Sequence, residues 1–303
     1  MHVEAQATRV LGVELTASLY RKLALASAVS LYVIVVSGAT VRLTGSGLGC
    51  ESWPGCSEGA LFPEQSYHSF VEFGNRVVAI FPIVLSLLTA VGSQLVRELP
   101  GWARAAAWVA ALGTLAQAPL GLVTIRLDLD PVAVMSHFLL AIVVLGAAVV
   151  VAVEARRLEV GSADSFVSRR VRRLGLFFAA LTLVVVVSGT FVTAAGPHAG
   201  DPDVADRLGS LEDAIWLHVR VTAVFGVLLL GLVWHLRATA GRRLSYLLLG
   251  LVAAQAVVGE VQWRNALPWW LVLVHVALAA GIWAVTVWLV ALLWRPSAAP
   301  VRT

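Results

Sequence analysis

Long apolar runs separated by short polar segments dominate the chain. Each run has roughly the 20 residues that a helix needs to cross the hydrocarbon core of a bilayer. The period-two alternation of a membrane β-barrel is absent from these runs. The pattern predicts an all-α integral membrane protein with eight transmembrane helices, at 23–41, 72–96, 103–125, 132–154, 171–194, 212–235, 244–263 and 268–294.

The second half of the chain repeats the first. VVSGATVRLTGSG at 35–47 returns as VVSGTFVTAAGPH at 186–198, and AQAPLG at 116–121 returns as AQAVVG at 254–259. Four crossings bring the chain back to its starting side, and such parallel repeats are related by an axis along the membrane normal. The repeat therefore predicts two tandem four-helix bundles related by pseudo-two-fold symmetry about that normal.

The repeat also divides the chain into segments. We predict an N-terminus at 1–22, an N-terminal half at 23–154 with an outer loop at 42–70, a linker at 155–170, a C-terminal half at 171–294 and a tail at 295–303.

Composition agrees with a membrane protein, and charge orients it. Hydrophobic residues make up 59% of the 303 positions, charged residues 13%, and mean hydropathy is +0.86. Most Arg and Lys residues lie in one set of alternate loops, which the positive-inside rule places in the cytoplasm. We therefore expect a bacterial plasma-membrane protein with both termini cytoplasmic. The pI near 9.6 follows from this bias and does not indicate nucleic-acid binding.

The outer loop of the first half contains the two cysteines of the chain, Cys50 and Cys56. Their outward position fits a disulfide, serving either as a structural staple or as a redox-active pair. The equivalent loop at 195–211 has no cysteine. Glu72, which follows the cysteine loop, aligns near Ile215, so the halves differ where chemistry would take place.

Three histidines lie at the outer ends of apolar segments, and ionisable residues there need a reason. His218 and His275 are expected at similar depth, where facing helices can bring both to one haem iron. His137 is the counterpart of His275 in the first half. The alternative is that each histidine only makes an interhelical hydrogen bond. Glycines nearby, such as Gly121 and Gly259, leave room for a macrocycle or for close helix packing.

Glu72 is the candidate acid. We expect it in the first turn of its helix, on the same face as Asn75, where it would transfer protons or only complement the helix dipole. Arg76 and Arg220 are candidates to pair with haem propionates or to anchor their helices at the interface.

Taken together, these motifs resemble the haem A synthase family over roughly 20–295. The motifs are TGSGLGC-x5-C in the outer loop, E-x2-[N/H]-R in the next helix, and single histidines at the outer ends of three later helices. The resemblance implies oxidation of a methyl group of haem O to the formyl group of haem A, the cofactor of terminal cytochrome oxidases.

The resemblance also assigns the site. It implies a haem b cofactor in the C-terminal half, substrate haem O in the N-terminal half, and a Cys50–Cys56 disulfide. The implied residues are His218 and His275 on the haem b iron, His137, Asn75 and Arg76 at the substrate haem, and Glu72 as the essential acid. Many family members carry His where this chain has Asn75, and Asn is a poor iron ligand. The substrate iron is therefore expected to be held by His137 alone or with a further group such as His68.

Partners and rival functions complete the expectations. The expected partners are membrane lipid, haem O, the farnesyltransferase that produces haem O, and an electron donor that the sequence does not identify; homo-oligomer formation is left open. A bis-histidine cytochrome that only carries electrons is the main alternative. A transporter is another, and it predicts discontinuous helices in both halves.

Overall fold

Eight long helices account for most of the computed structural model. It describes residues 9–10, 13–53, 55–57, 62–63, 66–161, 167–198, 207–239 and 241–294. The helices are α1 (Ala17–Leu43), α2 (Tyr67–Leu95), α3 (Gly101–Arg126), α4 (Pro131–Val160), α5 (Arg169–Ala195), α6 (Leu211–Leu236), α7 (Arg242–Arg264) and α8 (Trp269–Trp294). All eight are long and apolar enough to cross a membrane, which confirms the predicted number. A hairpin of β1 (Arg9–Val10) and β2 (Val13–Glu14) precedes them and was not predicted.

Helix ends differ from the predicted ones where polar residues cap the helix. Helix α2 begins at Tyr67, because the Ser66 side chain accepts a hydrogen bond from the Ser69 backbone N–H. His68 is therefore helical rather than in the loop, and Glu72 lies in the second turn rather than the first. Helix α4 runs on to Val160, into the segment expected as linker, and ends at Gly161, whose φ is +82°.

The helices pack in two sets of four with the same order of neighbours. In the first set α1 contacts α2, α2 contacts α3, α3 contacts α4, and α1 contacts α4. The set α5 to α8 repeats these contacts, and the two sets meet through α1, α4, α5 and α8. Helix α4 is the most buried of the eight spans, which explains why it is apolar on every side.

Close contacts hold the two sets together. The indole Nε1 of Trp283 in α8 donates to the Ile142 carbonyl of α4 at 2.7 Å, and the Tyr32 hydroxyl donates to the Ala277 carbonyl at 3.1 Å. Gly146 permits this approach, since a Cβ there would lie 3.0 Å from the Trp283 ring. Small residues at such contacts are the usual basis of helix association in membranes.

The helices that contain proline are continuous. Helix α2 runs through Pro82 and helix α3 through Pro119. Each of the eight described spans is a single unbroken helix. The discontinuous helices that the transporter hypothesis predicts are therefore not found in the described part of the chain.

We expect Gly146→Ala to destabilise the protein. The new methyl group would press on the rigid indole of Trp283 and disturb its hydrogen bond to Ile142. Overpacking of this kind costs about 1–3 kcal/mol. The midpoint of thermal unfolding in detergent should fall. Gly250→Ala is the matched control, because a Cβ at Gly250 has no atom within 4 Å. Equal midpoints for the two variants would contradict the expectation.

Candidate haem site and its cysteine loop

Two histidines of the second helix set face each other. His218 lies in the second turn of α6 and His275 in the second turn of α8. Their ring centroids are 6.4 Å apart, with an angle of 60° between the ring planes. Two imidazoles that bind one metal from opposite sides, each at about 2 Å, place their ring centroids at about this separation. The pair therefore has the spacing of two axial ligands.

A serine sets the tautomer of His218. The Ser188 hydroxyl donates its proton to the Val185 carbonyl and lies 2.8 Å from Nδ1 of His218. When the serine proton is on the Val185 carbonyl, the serine oxygen can only accept, and Nδ1 of the histidine is the donor in this contact. Nε2 of His218 then keeps its lone pair for a metal, which is the arrangement that an outer hydrogen bond imposes on histidine ligands.

Glycines lie against all three intramembrane imidazoles. A Cβ on Gly189 would be 3.2 Å from Cε1 of His218. A Cβ on Gly259 would be 3.4 Å from Cε1 of His275, and one on Gly121 would be 3.4 Å from Cε1 of His137. These glycines thus make room for the imidazole rings themselves.

His137 and His275 have matching surroundings. The Gln117 side chain donates to the His137 carbonyl at 3.2 Å, and the Gln255 side chain donates to the His275 carbonyl at 3.1 Å. Nδ1 of each histidine is buried without a hydrogen-bond partner. An unsatisfied nitrogen is costly inside a membrane, so both rings fit positions that bind a further group.

Asn75 takes the place of His218 in the first set. The Ser37 hydroxyl donates to Oδ1 of Asn75 at 2.8 Å, as Ser188 contacts His218. Ser37 and Ser188 occupy the same place in the repeated VVSG. Asn75 is shorter, and a Cβ on Gly38, the counterpart of Gly189, would have no atom within 4 Å. The first set therefore keeps the scaffold and the His137 position, but has an amide where the second has an imidazole.

The donor set fits haem better than a bare metal ion. No group of three or more His, Cys, Asp or Glu side chains that could hold a metal occurs among the described residues. A metal bound by His218 and His275 must therefore take its remaining ligands from elsewhere. A planar tetrapyrrole supplies the four in-plane nitrogens and leaves two axial positions for histidine.

The cysteine loop is folded over the start of α2. Cys50 and Cys56 form the expected disulfide, with sulfurs 2.05 Å apart. The loop backbone approaches α2 so closely that a Cβ on Gly49 would lie 2.9 Å from the Ser69 nitrogen. The Ser69 hydroxyl donates to the Gly49 carbonyl at 2.7 Å. Only glycine permits this contact.

Glu72 and Arg76 fix the loop to the helix. Glu72 is 4% exposed; one carboxylate oxygen accepts from the Cys50 N–H at 2.9 Å, and the other pairs with Arg76 at 2.5 Å. The Arg76 guanidinium also donates to the carbonyls of Ser52, at 2.8 Å, and Gly55. Arg76, a candidate for haem propionates, thus contacts Glu72 and loop carbonyls. Asn75 contacts Ser37 of α1.

Several of these contacts were not expected from sequence. The histidines and Asn75 are positioned by Ser37, Ser188, Gly189 and the two glutamines. The feature of the sequence that could have indicated these residues is the repetition of VVSG and AQ in the two halves. His68, suggested as a further iron ligand, is exposed, and its Nδ1 lies 3.0 Å from the Ser46 hydroxyl.

Comparison with known proteins places these features in a family. A family model described as COX15-CtaA, cytochrome oxidase assembly protein, matches residues 21–287. A Heme A synthase of Symbiobacterium thermophilum is 27% identical over 88% of this chain and 92% of its own length. A Heme A synthase of Geobacillus thermodenitrificans is 37% identical over 23% of this chain, and the match spans only 24% of that relative.

One further relative has a different name. A Protoheme IX farnesyltransferase of Halobacterium salinarum is 34% identical over 29% of this chain and 18% of its own length. The family model, in contrast, extends over nearly all of the chain and includes the cysteine loop and all three histidines of the site. The chain therefore belongs to the COX15-CtaA family of cytochrome oxidase assembly proteins.

Proposed function

We propose that the chain is a haem A synthase, which oxidises a methyl group of haem O to the formyl group of haem A for the assembly of terminal cytochrome oxidase. The observation that carries the proposal is the difference between two similarly packed helix sets. One has a facing histidine pair, and the other has His137, an amide (Asn75) at the position of the second histidine, and Glu72 bound to a disulfide loop. The names and extent of the relatives support this reading.

The second set is the haem b site in this proposal. His218 and His275 would hold the iron, and the bound haem b would supply one-electron transfer. The Ser188 contact keeps Nε2 of His218 available, and Gly189 and Gly259 leave the two rings in position. A bis-histidine cytochrome would need this pair too, but it gives no account of Glu72 and the cysteine loop.

The first set is the substrate site. His137 would bind the iron of haem O, and Asn75, whose oxygen is engaged by Ser37, would leave the opposite side open. The methyl carbon would be oxidised first to the alcohol and then to the geminal diol, and each step replaces one C–H hydrogen with a hydroxyl group. With water as the oxygen source, each step releases two electrons and two protons to an acceptor. With dioxygen as the source, each step takes up two electrons and two protons from a donor and forms one water. Loss of water then leaves the aldehyde. Glu72 moves protons beside the reacting methyl group, and Arg76 holds Glu72 and the loop in place.

The finer architecture belongs to the same proposal. The two helix sets, 23–154 and 171–294, would be related by a pseudo-two-fold axis along the membrane normal, with the linker, the tail and both termini in the cytoplasm of a bacterium. Their identical order of helix contacts supports the symmetry, and the distribution of basic residues supports the orientation.

Pigment analysis tests the function. Cells that make haem O but lack another haem A source should accumulate haem A when they express this chain. Extraction and mass spectrometry of the haems measure the product. Haem O left unconverted beside a protein that contains haem b would support the electron-carrying cytochrome and overturn the proposal.

Glu72→Gln should abolish most haem A formation. The amide keeps an acceptor for the Cys50 N–H but cannot exchange the proton, and the loss of such a group lowers rates about a hundredfold or more. Haem b content should stay unchanged. Glu260→Gln is the matched control, because Glu260 also pairs with an arginine at i+4, Arg264, but on an exposed surface. Normal haem A in Glu72→Gln would remove Glu72 from the mechanism.

Gly189→Ala should weaken haem b binding. Its methyl group would push on His218, whose ring cannot move without losing the Ser188 contact. The purified variant should contain less haem b and show a weaker low-spin spectrum. Gly38→Ala is the matched control at the equivalent position of the first set, where a Cβ has open space. Equal haem b in both variants would contradict the assignment.

A further inference from the structure

A cavity opens between α1, α2 and α8, and Ser37 of the proposed substrate site is one of its lining residues. Its volume is 410 Å³, and its walls include Tyr32, Val33, Val36 and Thr40 of α1, Val71 of α2 and Ala277 of α8. The volume is in the range of small-molecule sites. Val33 is 47% exposed on the outer surface of its helix, so the cavity is a groove that faces the membrane.

The lining of the groove suits an apolar ligand better than a polar one. The Thr40 hydroxyl donates to the Val36 carbonyl of its own helix at 3.1 Å, and the Tyr32 hydroxyl donates to the Ala277 carbonyl at the same distance. These donors are already used, and the Ser37 hydroxyl donates to Asn75. The other lining residues are aliphatic: Val33, Val36, Val71 and Ala277. The chemistry of the lining therefore fits a hydrocarbon chain.

The groove meets the proposed substrate site at one residue, Ser37. Ser37 lines the groove and donates to Asn75. Val71, on the opposite wall, directly precedes Glu72 in α2. A ligand bound near Asn75 and Glu72 can therefore extend an apolar substituent into the groove.

We infer that this groove binds the isoprenoid tail of haem O. The inference rests on the proposed function and deepens it. Haem O carries a farnesyl-derived chain that haem b lacks, and one relative of this chain is named a protohaem IX farnesyltransferase. The tail is the one large apolar substituent that distinguishes the proposed substrate from the proposed cofactor.

The second helix set differs at the corresponding positions. The repeated VVSG aligns Thr40 with Phe191 and Tyr32 with Leu183. A phenyl ring at the position of Thr40 would take up space in the groove that the smaller threonine leaves open. The half that is proposed to hold the tailless haem b thus carries a bulky residue where the half that is proposed to hold haem O carries a small one.

Binding of the tail in the groove would orient haem O more than it would increase the affinity for haem O. Lipid chains are as apolar as the groove, so moving the tail from lipid to protein gains little hydrophobic free energy. A fixed tail instead stops the macrocycle from rotating about its own normal, which decides which methyl group lies beside Glu72. Misplacement of a reacting group by 1 Å can lower a rate about a hundredfold.

Thr40→Phe tests the inference by copying Phe191 into the first set. In cells that supply haem O, the variant should form less haem A per protein by about tenfold or more, with unchanged haem b. Ile80→Phe, on the exposed side of α2, is the control for added bulk in the membrane. Normal haem A in Thr40→Phe, with an active unsubstituted protein, would overturn the tail site alone. No haem A from the unsubstituted protein would instead reject the proposed function.

A labelling experiment tests binding without turnover. Both cysteines of the chain are in the disulfide, so Val33→Cys introduces a single thiol into the groove. Haem O should slow its reaction with a membrane-permeable maleimide severalfold, and protohaem, which has no tail, should not. Equal rates with haem O and protohaem would show that the groove holds only lipid and would overturn the inference.

Discussion

An imidazole inside a membrane bundle must have its nitrogens satisfied, because no water is available to do so. Among the described residues, the structure meets this constraint at Nδ1 of His218 and leaves Nδ1 of His137 and His275 without a partner. A glycine receives the edge of the ring, and the adjacent helix fixes the histidine either through a serine at Nδ1 or through a glutamine at the carbonyl. His218 has one nitrogen satisfied and one left free. His275 faces it with a buried nitrogen that has no protein partner.

The same scaffold serves a different purpose in the first helix set. Ser37 has the position and geometry of Ser188, yet it contacts an amide rather than an imidazole. Both halves of this chain have the serine contact, but only the second half has a histidine at the contacted position. Beside it, Glu72 joins the loop to α2 through Cys50 and Arg76. In the proposed function, one bundle geometry holds a cofactor in one copy and presents a substrate to an acid in the other.

The sequence predicted much of the fold because membrane helices follow from hydropathy and length alone. The number of spans was right, and so was the pairing of Cys50 with Cys56. Helix ends were harder to predict from the sequence. The Ser66 cap extends α2 through polar residues that a hydropathy pattern does not mark as helical. The position of Glu72 was wrong by one turn for this reason. Gly121 and Gly259 were expected to leave room for a macrocycle or for close helix packing, and the structure adds that each lies against an imidazole ring.

What sequence could not supply were contacts between residues far apart in the chain. The Arg76 guanidinium donates to a carbonyl of the cysteine loop. The position of Arg76 in the sequence, directly after Asn75, does not indicate this contact. The groove beside Ser37 is likewise formed by three helices that are separate in sequence. The structure places Thr40 in this groove, so the difference between Thr40 and its counterpart Phe191 can be related to the size of the groove. In the proposed function the two copies bind different ligands, and two of the positions at which the copies differ, Asn75 and Thr40, lie next to Ser37 in the proposed substrate site and its groove.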